Sequence, residues 1–103
     1  MKTLVLCVAA AGIVSLSALP ASAADVKGEI VTAETHAGLA AKASDLDGVH
    51  MHLHHTLNCL VGPNGAGFDS KQMTPCANIG SRAIPNTTDA AKKKSLQAAA
   101  DKA

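Results

Sequence analysis

Residues 44–63 read SDLDGVHMHLHHTLNCLVGP. Leu46, Val49, Leu53, Leu57 and Leu60 recur at intervals of three and four residues, so a helix over about 45–61 carries one apolar face. Ser44 reads as its N-cap. Asp45 and Asp47 fall in the first turn, where the positive helix end favours carboxylates, and Asp47 stands in for the longer Glu of a capping box. Gly62 suits a left-handed closing residue, and Pro63 cannot continue the helix.

Working outward, residues 26–43 predict a preceding helix. Val26, Ile30, Ala33, Ala37, Ala40 and Ala41 form a narrow stripe of mostly small side chains. Such a stripe favours close approach of a second helix over a thick core. With the turn near residue 44, the two helices form an antiparallel hairpin. After Gly62 the chain is dense in Gly, Pro and Asn up to about residue 87, which reads as loop. Phe68, Met73, Ile79 and Ile84 are the expected plugs that fold this loop back. A third, short helix over 88–102 starts at Thr87 or Thr88 with Asp89 in its first turn, and Leu96 is its one large apolar residue. The expected fold is all-α: a small helical hairpin, a long disulfide-tethered loop and a short C-terminal helix.

The first 23 residues read differently. Lys2, the apolar run Leu4–Leu19, Pro20 and Ala21-Ser22-Ala23 have the order of a secretory signal with a small-residue cleavage site, placing the cut after Ala23. Residues 24–103 then form the single domain, with no further stretch apolar enough to span a membrane. Without Lys2, eight basic residues balance eight acidic ones. A neutral chain of this kind is a poor nucleic-acid binder, and Lys92-Lys93-Lys94 reads as the solvated face of the last helix. Export leaves two cysteines, Cys59 and Cys76, which read as a disulfide closing the loop between them. Two free thiolate ligands are the competing reading. The leader leans toward a bacterial envelope, so periplasmic or secreted location is expected.

His50, His52, His54 and His55 lie within six residues, and the chain has five histidines in all. Imidazole is the commonest protein ligand for transition metals. On a helix, His50 and His54 flank the apolar face on one side, while His52 and His55 lie on the other side and the back. Position 36 is level with position 52 across the hairpin. His36 therefore completes either of two sites, with His50 and His54 or with His52 and His55. Met51, level with His55, adds a thioether that favours copper.

These residues predict an exported His-rich protein that binds copper or zinc for buffering, delivery or sensing. A hairpin this small is also expected to dimerise and complete its ligand set between chains, or to meet an envelope protein partner. Alternatives are a metal-free structural or partner-binding module of the envelope and, more remotely, non-covalent haem binding. Covalent haem attachment is excluded because no Cys-x-x-Cys-His occurs. No serine triad, phosphate loop or convergent carboxylate pair is present, so no enzyme is expected.

Overall fold

The computed structural model describes residues 25–80 and 82–103. The expected leader, residues 1–23 with Cys7, lies outside them. Helix α1 runs Val26–Lys42. It starts where it does because the Asp25 carboxylate accepts from the backbone N–H of Gly28 at 2.8 Å, satisfying a donor that the first turn leaves free. Helix α2 runs Leu46–Val61. Its cap is Asp45 and not Ser44: Asp45 is extended, and its side chain accepts from Gly48 N–H at 2.7 Å. This shift makes Asp47 a first-turn acid without a capping-box role. Gly62 closes α2 at φ 74°, and its N–H donates to the Asn58 carbonyl. A positive φ here is cheap only for glycine.

Two differences arise in the predicted loop 62–87. A short helix α3, Ala83–Asn86, forms inside it. Helix α4, Ala90–Lys102, is capped by Asp89, which accepts from Lys92 N–H at 2.8 Å, and not by Thr87 or Thr88. Thr87 is buried and its hydroxyl donates back to the Ala83 carbonyl, closing α3. The cap thus falls one or two residues later than the expected Thr87 or Thr88.

The architecture is all-helical, with no strand among the described residues. Helices α1 and α2 form the hairpin. Helix α3 packs on α1, α2 and α4, and α4 rests on α2 and α3. The core lies toward the C-terminal half of α2, where Cys59, Leu60 and Val61 meet Ala33, Cys76, Ala83, Ile84 and Ala100. Phe68 and Ile79 pack against it as expected, and so does Leu96. Met73 does not: it is 63% exposed. Leu46, expected on the buried face, is 66% exposed, because nothing packs over the first turn of α2.

The loop is held at two adjacent residues. Cys59 is bonded to Cys76, with Cα atoms 5.7 Å apart and both residues wholly buried. Asn58, also wholly buried, takes the backbone of Asp69 with both ends of its amide. Its Nδ2 donates to the Asp69 carbonyl at 2.9 Å, and its Oδ1 accepts from Asp69 N–H at 2.9 Å. This is the hydrogen bonding a strand neighbour would give, supplied by one side chain. Glu29, in the first turn of α1, is fully buried. Its Oε1 accepts from Arg82 N–H at 2.7 Å and from Asn86 Nδ2 at 3.3 Å. Arg82 brings no side-chain cap to α3, so Glu29 meets the start of that helix from the neighbouring one.

Candidate metal centre

The small stripe on α1 sets how near the hairpin helices come. Ala33 and Ala40 are buried, and the Thr56 hydroxyl of α2 lies 3.2 Å from the Ala33 carbonyl, its one proton shared between that oxygen and the His52 carbonyl at 2.9 Å. A side chain of α2 therefore touches the backbone of α1. At this separation an imidazole need not reach outward to meet a neighbour; the nitrogen nearest its own backbone, Nδ1, suffices.

Three histidines meet in this way. His36 Nδ1 lies 3.3 Å from His52 Nδ1 and 3.3 Å from His55 Nδ1. One donor atom from each residue fits within 4.8 Å of the other two. The rings stand 5.0–5.6 Å apart at their centres, with His55 edge-on to both others. His55 is buried, and His36 and His52 are half-buried. Among the two arrangements the sequence allowed, this is the one built on His52 and His55, which sit three apart on α2 with His36 level across the hairpin.

The distance has a chemical meaning. Nitrogens bound tetrahedrally at zinc-like bond lengths are about 3.3 Å apart, the edge of the tetrahedron. A hydrogen-bonded cluster fits less well. One Nδ1 carries either a proton or a lone pair, so His36 cannot form two well-directed hydrogen bonds with His52 and His55 at once. A cation placed among the three would take all three lone pairs together. The three histidines can therefore hold a metal ion.

The electrostatics favour the same state. Burial, and after it the His52 charge, hold the His36 pKa below its ordinary value. Burial also lowers that of His55, followed by the neighbouring His36, His52 and His54. The group contains no carboxylate or thiolate. Imidazoles that resist protonation keep their lone pairs free, which is the form a metal needs.

The remaining expected ligands lie elsewhere on α2. His50 is exposed. His54 is half-buried, with its Nδ1 buried and unpartnered. Both line a small hollow of about 80 Å³ with Leu53, Leu57 and Ala103. Met51 is 42% exposed. The supporting residue that sequence reasoning passed over is Thr56. Its place four residues after His52 marks it as lying on the same inward side.

Comparison with protein-family models, with curated proteins and with solved structures finds no match to this chain. The reading of function rests on the site itself.

Proposed function

We propose that this protein is an exported transition-metal binder that holds one copper or zinc ion on His36, His52 and His55, to buffer, deliver or sense it. The observation that carries the proposal is His36 Nδ1 at 3.3 Å from two other Nδ1 atoms, one on each of two α2 residues. Neutral imidazoles suit both metals. Three protein ligands leave a fourth position for water or an incoming donor. Two of the three rings are half-buried rather than sealed, so an ion held there can be passed on by ligand exchange. These features favour traffic over permanent structural binding. Export rests on the leader-like first 23 residues.

The geometry argues against haem as the cargo. Rings whose nitrogens nearly touch have no slot between them for a flat macrocycle, and Phe68 is the chain's one aromatic residue outside histidine. Among the described residues, no Asp or Glu joins the triad, and we do not propose catalysis.

Elemental analysis of protein taken from its native compartment without a metal-affinity step tests the proposal. Copper or zinc near one ion per chain, lost in a His36→Ala variant, is the expected result. Protein that carries no metal, and that binds neither copper nor zinc on titration, would give the lead to a metal-free partner-binding module.

A further inference from the structure

His50 and His54 take no part in the three-histidine group. They lie one turn apart on α2, about 6 Å along its axis, a spacing at which two imidazoles can close on one ion. His50 is exposed. In His54 the Nδ1 is buried without a partner, so Nε2 is the nitrogen that ring can present outward. One turn before His50, Leu46 is 66% exposed. Leu46, His50 and His54 thus form a continuous stripe: two ligands bordered by a large apolar side chain left mostly exposed among the described residues.

Two imidazoles do not complete a tetrahedral ion. Among the described residues, no third histidine, cysteine, Asp or Glu side chain joins this pair; the neighbour across the hollow is Ala103, at the end of α4. We propose that a second copy of this chain completes the site, so that His50 and His54 of two copies hold one divalent transition-metal ion between them. The two-fold axis passes through the ion. An interface on such an axis uses the same patch twice, so the contact that brings the ligands together also covers Leu46 on both sides. The four donors are then imidazoles, a set that suits zinc.

This site shares no ligand with His36, His52 and His55, and it stands or falls separately from them. It is also the weaker of the two. Each chain brings two donors instead of three, and binding must offset the freedom lost when two chains associate. The inner site therefore fills first, and dimerisation follows as metal rises further. The protein becomes a pair only above a threshold of available metal.

The test is light scattering on the purified protein during a zinc titration, alongside direct measurement of bound zinc. The expected course is a monomer up to about one zinc per chain, then a doubling of mass that ends near 1.5 zinc per chain, reversed by chelator. His50→Ala, a change on an exposed side chain, is expected to keep the first zinc and stay monomeric. His36→Ala is expected to lose the tight first equivalent and still dimerise. A wild-type mass that never changes with zinc, or a His50→Ala variant that dimerises like the wild type, would overturn the proposal. Loss of the first equivalent in the wild type, with zinc-driven dimerisation intact, would overturn the inner site and leave this one standing.

Discussion

His36 and His55 sit nineteen residues apart in sequence and face one another across the hairpin with their Nδ1 atoms 3.3 Å apart. Each is harder to protonate than a free imidazole. Two lone pairs turned toward each other at this range are costly unless a proton or a cation lies between. Most of what the protein is expected to do follows from that pairing.

Removing one ligand should therefore be felt sharply. His36→Ala, His52→Ala and His55→Ala are each expected to weaken zinc or copper binding at the inner site by about 100-fold. Competition against a chelator of known affinity measures this. Three variants with wild-type affinity would remove the inner site from consideration.

The pH dependence has a definite sign. Both His36 and His55 have folded-state values lowered from 6.5. The unfolded chain thus binds more protons than the folded one in the range just below 6.5. The stability linked to these groups is full above that value and is lost as the pH falls through the lowered folded-state values. Thermal melts of metal-free protein between pH 7.5 and 5 are expected to show a falling Tm, with the loss reduced in a His36→Ala variant. Metal is expected to dissociate over the same acid range, below about pH 6.

Asn58→Ala removes both hydrogen bonds to the Asp69 backbone and leaves two main-chain groups without partners. We expect a loss of about 2–4 kcal/mol, read as a Tm lower by about 10 °C or more. Asn58→Asp sets a carboxylate oxygen against the Asp69 carbonyl in a wholly buried place, so it is expected to cost at least as much as Asn58→Ala. A melting temperature unchanged in Asn58→Ala would show that the loop is held without this clamp.

The disulfide is expected to contribute about 3 kcal/mol by restricting the unfolded chain. Because Cys59 and Cys76 are wholly buried, reductant should act only after local opening. Reduction under native conditions should be slow, and should speed up in the Asn58→Ala variant. Denaturant titration and thiol labelling over time check both halves. Immediate labelling of the native protein on adding reductant would contradict the burial argument.

The hairpin was legible because its signals agree with one another. A stripe of alanines on one segment, leucines at helical spacing on the next, and Gly62-Pro63 at the end all point to two antiparallel helices. The same register places His36 level with His52. Which pair on α2 it meets was not legible, because rotation of α1 about its axis depends on packing. Thr56 against the Ala33 carbonyl and the core at Cys59–Val61 fix that rotation. The burial of Glu29 was not legible for a physical reason: a carboxylate on a helix is ordinarily solvated, and its partner is the backbone at Arg82, far along the chain. Helix α3 was hidden for a similar reason. Four residues containing a proline carry little helical signal of their own, and their stability comes from neighbours. Leu46 shows the opposite error. Its spacing matched the apolar face, but periodicity says nothing about where along a helix its cover stops.

The triad draws one donor from α1 and two from α2, and the turn at residues 43–45 joins those helices at one end. Prising the free ends of the hairpin apart would carry His36 away and leave two donors where there had been three. The number of donors at the triad is therefore tied to closure of the hairpin, so any motion that opens the seam also changes how firmly an ion could be held.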